Sequence, residues 1–107
     1  MEKCYTEADW KLFKGRIAEW QESYMEKLNR GYIELLSSDA PASERFWELE
    51  KSIKHDRRDA GVCLVMRRSA LASDLARLLS EGAITADDLD GFSVQLKEAV
   101  LSLAVFQ

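Results

Sequence analysis

The 107-residue sequence predicts an all-α protein, a four-helix bundle-like domain with a long N-terminal helix. Three observations lead there. Large apolar residues recur at steps of three and four in four separate runs, the period of one helix face. The same start signal occurs twice, as Thr6 with Asp9 and as Thr85 with Asp88, each at capping-box spacing with Asp in place of the usual Glu. A single proline and a charged fraction of 32% fit a helical globular chain and argue against intrinsic disorder. The hydrophobic fraction of 47% over this length supplies one core and too little for two, so residues 1–107 read as one domain.

The first helix is expected over about residues 7–37. Its stripe is Trp10, Phe13, Ile17, Trp20, Tyr24, Leu28, Tyr32 and Leu35, with Tyr5 placed to staple onto Trp10. At about 1.5 Å per residue it runs to roughly 45 Å, whereas a compact chain of about 100 residues has a radius of gyration near 13 Å. Such a helix overhangs its own domain. Gly15 and Gly31 each weaken it by up to about 1 kcal/mol relative to Ala, and Gly31 marks a candidate bend or close approach of another helix. Residues 37–42, with Pro41, form the clearest connector.

A second helix follows over about residues 44–57, with Ser43 as N-cap, Phe46, Leu49 and Ile53 as its apolar steps and Glu50–Lys54 as a supporting pair. The stretch from Asp56 to Gly61 reads as a turn in which Gly61 takes a positive φ. The third helix is expected over residues 62–81, apolar over a wide arc that includes Leu64, Leu71, Leu75 and Leu78, and therefore central. Gly82 caps it, and Ile84 with Leu89 repeats the staple. The fourth helix, residues 86–104, carries Leu89, Phe92, Leu96, Val100 and Leu103 towards an apolar terminus of Val105, Phe106 and Gln107 that is expected to dock.

The longest apolar run, Ala60 to Met66, falls far short of the roughly 20 residues that cross a bilayer. Met1 to Trp10 is polar and acidic rather than leader-like, so a cytoplasmic protein without membrane contact is expected. Cys4 and Cys63 make neither a disulfide framework nor a zinc pattern. Both read as reduced thiols, Cys63 as buried filler.

Little in the chain suggests catalysis. His55 is the single histidine, and the residue three before it is Ser52, which excludes the Glu-x-x-His pairs of a di-iron bundle. His55 with Asp59 lacks further ligands at helical spacing, and Cys63 near His55 has no supporting context for nucleophilic chemistry. Asp87, Asp88 and Asp90 occupy a first helical turn, where the dipole favours negative charge. Gly61 and Gly82 belong to no phosphate-binding loop. A non-enzymatic protein without cofactor or metal is the expectation.

The net charge of -4 is unevenly distributed: residues 51–80 carry seven Lys or Arg against three acids, between two acidic flanks. If the second and third helices are antiparallel neighbours, the pairs Arg57–Arg58 and Arg67–Arg68 meet at one end with Lys54 and His55. Such a corner suits phosphate or carboxylate, because the guanidinium fork bonds both in bidentate fashion. Nucleic acid and an acidic protein surface are the functional readings. The plainer one is a solvated face on which Asp56, Asp59 and Asp74 neutralise the arginines. The aromatics Trp10, Phe13, Trp20, Tyr24 and Tyr32 are core residues by spacing. Their helix is nevertheless too long to be covered along its whole extent unless two shorter helices lie end to end on it or a second copy contributes, and the expectation leans to a partner contact, in particular a homodimer through the first helix.

Three segments carry a resemblance. They are Trp10, Ile17, Trp20, Gln21, Glu22 and Tyr24; the run from Ser43 to Glu50; and the run from Gly82 to Thr85 followed by Asp88, Leu89, Phe92 and Ser93. In these the chain resembles a group of small uncharacterised helical proteins of Gram-positive bacteria, their phages and mobile elements, some labelled multidrug transporters. That label conflicts with the lack of a spanning segment. The resemblance implies a mobile-element accessory protein, of the kind that binds and blocks a host machine such as a defence nuclease. A protein-interaction module acting as inhibitor or adaptor is the leading expectation, with a nucleic-acid-binding accessory protein as the alternative.

Overall fold

The computed structural model describes residues 4–104. Within them the chain is all-α, with α1 at Glu7–Leu36, α2 at Ala42–Asp56, α3 at Leu71–Glu81 and α4 at Val94–Ala104. Single 3-10 turns occupy Arg68–Ala70 and Ala86–Leu89. Residues 105–107, on which the expected docked terminus falls, lie outside the described residues.

The start of α1 is the capping box that the spacing implies: the Asp9 amide donates to Thr6 Oγ1 at 3.1 Å and the Thr6 amide donates to Asp9 Oδ2 at 2.9 Å. The helix then runs unbroken through Gly15 and Gly31. A Cβ at Gly31 would meet nothing within 4 Å, so no other helix makes the close approach expected there. The molecule measures 55 × 24 × 22 Å with a radius of gyration of 16.4 Å, well above the roughly 13 Å of a compact chain of about this length. The overhang is real.

The core occupies one end. Phe13 from the first half of α1, Leu71, Leu75 and Leu78 from α3, and Leu96 and Val100 from α4 have no solvent exposure. Thus α3 is central, as its wide apolar arc implies. Its start lies near the start of α1, because the Arg68 guanidinium bonds Glu7 at 2.9 Å and stands 5.4 Å from the Trp10 ring centroid. Its end lies near Tyr24, since Glu81 accepts from the Ala60 and Gly61 amides and Gly61 abuts the Tyr24 ring. Consequently α3 runs alongside α1 in the same direction.

That placement corrects the third helix, which begins at Leu71 rather than 62. The preceding residues must travel back from the level of Tyr24 to that of Trp10, about 20 Å at 1.5 Å per helical residue. Six extended residues cover that distance at about 3.3 Å each, whereas six helical ones cover only about 9 Å. Burial alternates accordingly: Leu64 and Met66 pack against the core, while Cys63, Val65 and Arg67 are exposed. Cys63 is therefore not buried filler.

The fourth helix is also shorter than its pattern. The Thr85–Asp88 box forms, with the Thr85 amide donating to Asp88 Oδ2 at 2.8 Å, yet it opens only the turn Ala86–Leu89. Gly91, at φ 96°, then redirects the chain. At Ser93 the carbonyl accepts from the Lys97 amide at 3.0 Å and Oγ accepts from the Leu96 amide at 3.4 Å, which starts α4 at Val94. Asp9 holds this second start. It accepts from the Ser93 amide at 2.7 Å and from Ser93 Oγ at 2.6 Å, so one buried carboxylate joins the N-termini of α1 and α4. Burial works to raise the Asp9 carboxyl, but the hydrogen bonds from Ser93 and Thr6 outweigh it and hold the group below the ordinary carboxylate range. Arg16 fixes the same connection by donating to the Asp88 and Asp90 carbonyls at 3.2 and 3.0 Å. At the end of α3, Gly82 takes the left-handed cap at φ 80° that its position implies.

Candidate interaction surface on the helical hairpin

Beyond the core, the second half of α1 and all of α2 form an antiparallel hairpin. No residue of α2 is buried. Its inner side is Arg45, Leu49, Ser52 and Asp56, spaced four, three and four apart. The Arg45 guanidinium donates to the carbonyl of Leu36 at 2.7 Å, an acceptor that the end of α1 leaves open, and to that of Ala40 in the connector at 2.9 Å. The helix starts at Ala42 with Pro41 at its N-cap and no side-chain capping bond, so Ser43 does not cap it. Proline fits there because its fixed φ suits a helix entry and its missing N–H is not required.

The root of the hairpin is a set of polar clamps. Tyr32 donates to Asp56 Oδ2 at 2.6 Å, and Tyr24 donates to Asp59 Oδ2 at 2.6 Å. Burial, then the hydrogen-bonded carboxylate, pushes the Tyr24 hydroxyl well above the ordinary tyrosine range and that of Tyr32 up to about 12. Both remain donors at neutral pH. Gln21 Nε2 donates to the Ala60 carbonyl at 2.9 Å, and Glu81 accepts from the Ala60 and Gly61 amides at 3.0 and 3.1 Å. Gly61 is needed here for proximity: a Cβ would stand 2.3 Å from Tyr24 Cδ2. Among the described residues the positive-φ glycines are Gly82 and Gly91, so the positive φ expected at Gly61 is not what this position requires.

With Arg45, Ser52 and Asp56 turned inward, the large apolar residues of α2 other than Leu49 face out. Phe46 is 61% exposed, Trp47 62% and Ile53 44%, so of the three apolar steps of α2 only Leu49 turns inward. Phe46 and Trp47 meet edge to face with centroids 4.9 Å apart. On one flank, Ile53 and Arg57 share a shallow groove with Met25 and Tyr32 of α1, and exposed Ile33 and Leu36 lie further towards the tip. On the other, Trp47 lines a groove with Lys51, Lys54, His55 and Arg58. Lys54 bonds Glu50 at 2.9 Å as the spacing implies, and His55 Nδ1 lies 3.2 Å from Asp56 Oδ1.

The expected arginine corner is divided. Lys54, His55, Arg57 and Arg58 stay together at the end of α2, but the extended segment carries Arg67 and Arg68 about 20 Å along α1. There Arg68 pairs with Glu7. Arg67 and Arg77 exert their charge on Asp74, whose Oδ2 is buried without a hydrogen-bond partner among the described residues. Burial pushes the Asp74 carboxyl up, and these two arginines only partly offset it.

The aromatic stripe of α1 is mostly used within the chain. Trp10, Phe13 and Tyr24 are buried, Trp20 packs between Phe13 and Phe92 with centroids 6.2 and 6.5 Å away, and Tyr32 is half-buried on its clamp. Among the described residues the exposed aromatics are instead Phe46 and Trp47. One sequence signal could have located them. Arg45 and Asp56 are the residues of opposite sign in an otherwise acidic-then-basic helix, and both point into α1.

Among the described residues no group of three or more His, Cys, Asp or Glu could hold a metal ion, and no helix is long and apolar enough to cross a membrane. The chain matches no family model, no curated protein and no solved structure.

Proposed function

We propose that the chain is a non-enzymatic protein-interaction module, of the inhibitor or adaptor kind that its resemblance to mobile-element proteins implies, and that it works through the outer face of the hairpin. The observation behind this reading is the exposed Phe46–Trp47 pair on a helix that is bonded to the rest of the chain through Arg45 and Asp56 on its opposite side. At about 150–250 Å² per aromatic side chain, the pair leaves on the order of 250 Å² open to water. With Ile53, Ile33 and Leu36 added, the patch approaches the largest seen on ordinary monomers, about 300–600 Å². Aromatic anchors ringed by polar groups are also what binding hot spots are made of.

A second reading has its own observation. Trp47 beside Lys51, Lys54, His55 and Arg58 combines a stacking surface with cations, a pairing that suits single-stranded nucleic acid. One experiment separates the two. Tagged wild-type protein is compared with F46A/W47A and K51E/K54E/R58E in capture from a bacterial lysate, with and without nuclease, read by mass spectrometry. A stoichiometric protein that survives nuclease and disappears with F46A/W47A supports the interaction module. Nuclease-sensitive capture that falls steeply with salt and disappears with the charge-reversed variant supports nucleic acid. Capture unchanged by either variant removes the hairpin face from both.

A further inference from the structure

The outer face of α2 changes chemistry halfway along. Its first half presents the aromatic pair Phe46 and Trp47, with Glu44 and Glu48 at the margin; its second half and the turn that follows present Lys51, Lys54, Arg57 and Arg58 around Ile53. The two residues that break this order, Arg45 and Asp56, are turned towards α1 and bonded there. The helix dipole favours acids early and bases late, but it places no demand on two exposed aromatics between them.

We infer that the occupant of this face is a second copy of the chain, its α2 lying antiparallel on the first. This rests on the reading of the hairpin as an interaction surface and names what covers it. In the antiparallel arrangement a two-fold axis passes near Leu49 and Glu50, so Phe46 of each copy meets Ile53 of the other. Each aromatic pair then lies under the other copy's Lys54 and Arg57, where cations over ring faces and their aliphatic stems over apolar surface are both favourable. Glu44 and Glu48 approach His55 and Lys51. A parallel arrangement fails by the same chemistry, because it stacks the cationic halves on each other.

The arrangement is self-complementary, as an isologous two-fold contact requires. The two hairpins together form four helices around the side chains that one copy leaves in water.

The test is the mass of the full chain in solution, by sedimentation equilibrium up to about 100 µM, where a pair with Kd of about 10 µM is mostly formed. Twice the 12.2 kDa of one chain is expected for wild type. F46A/W47A is expected to be monomeric with unchanged helical circular dichroism, because both residues are already exposed. E44K/E48K and K51E/K54E are each expected to dimerise at least tenfold more weakly, and their equimolar mixture to recover the pair. A monomeric wild type, a dimer that persists in F46A/W47A, or a mixture that recovers nothing overturns the inference. If wild type is monomeric yet capture of a foreign protein is lost in F46A/W47A, self-pairing falls while the interaction-surface reading stands; if capture is also unaffected, both fall.

Discussion

The two ends of this molecule are held together by different forces. At the head, Phe13 of α1, Leu71, Leu75 and Leu78 of α3 and Leu96 and Val100 of α4 are fully buried in one cluster, so that end is held by apolar packing. At the hairpin, α2 buries no residue and is attached through Arg45 and Asp56 to carbonyl and hydroxyl groups. Apolar packing weighs most when a side chain leaves water completely, about 1.5–3 kcal/mol each, whereas a hydrogen bond contributes about 1 kcal/mol net. On α2 the hairpin makes little use of the stronger of these two forces and keeps Phe46, Trp47 and Ile53 in solvent. A helix arranged this way is placed for contact with something outside the monomer.

The sharpest way to break the comparison is to remove a phenylalanine from each end. Phe13→Ala is expected to cost about 3–5 kcal/mol, the usual cost of emptying a fully buried aromatic site. Phe46→Ala is expected to shift monomer stability by less than about 0.5 kcal/mol. Urea unfolding at concentrations low enough to keep the chain monomeric measures both. Equal losses at the two sites would mean that Phe46 is buried in solution and that the ends do not differ.

The junction comes next. Gly61→Ala places a methyl group 2.3 Å from a ring carbon of Tyr24, which is itself held by Asp59. Neither group yields freely, and overpacking of this kind costs about 1–3 kcal/mol. G61A/Y24A, which removes the ring, is expected to lose less than the sum of the two single variants, and additivity in urea unfolding would count against the contact.

How much of this is visible in the sequence depends on whether the controlling contact is local. The capping box at Thr6, the left-handed cap at Gly82 and the apolar period of α1 involve residues within a few positions of each other, and all read correctly. The start of α4 does not, because Ser93 is held by Asp9 from 84 positions away. The run from Val62 to Met66 is apolar at every position, so it shows neither a helical nor an alternating period, and only the distance it must span makes it extended. In α2 two stripes are available, Phe46 with Ile53 and Arg45 with Asp56. Hydrophobicity favours the first, while open carbonyls at the end of α1 and the hydroxyl of Tyr32 select the second. The candidate site was hidden for that reason.

Two buried carboxylates distinguish the head further through pH. The folded-state pKa of Asp9 lies below its unfolded value, so its contribution is fully present above pH of about 4 and is lost as pH falls through the folded value. Asp9→Ala is therefore expected to cost about 2 kcal/mol at pH 7, with the gap from wild type closing in acid. The folded pKa of Asp74 is raised, and the sign reverses. Asp74→Asn is expected to gain about 1 kcal/mol at pH 7, an advantage that shrinks as wild type protonates. Denaturation midpoints at pH 7 and pH 3 check both directions in one series.

The smallest effect expected is also the most local. Tyr32→Phe removes a single hydroxyl, and with it the 2.6 Å bond that ties the end of α2 to α1. At about 0.5–1.5 kcal/mol the global loss is slight. Its distribution is what matters. Because α2 shares no buried side chain with the head, it opens separately if the two ends are distinct cooperative units. Amide exchange in α2 is then expected to accelerate about three- to tenfold in the variant, while amides around Leu75 and Leu96 keep their wild-type rates. An equal acceleration at both ends would show that the hairpin and the head unfold as one, and that the polar clamps support the whole molecule rather than its projecting helix.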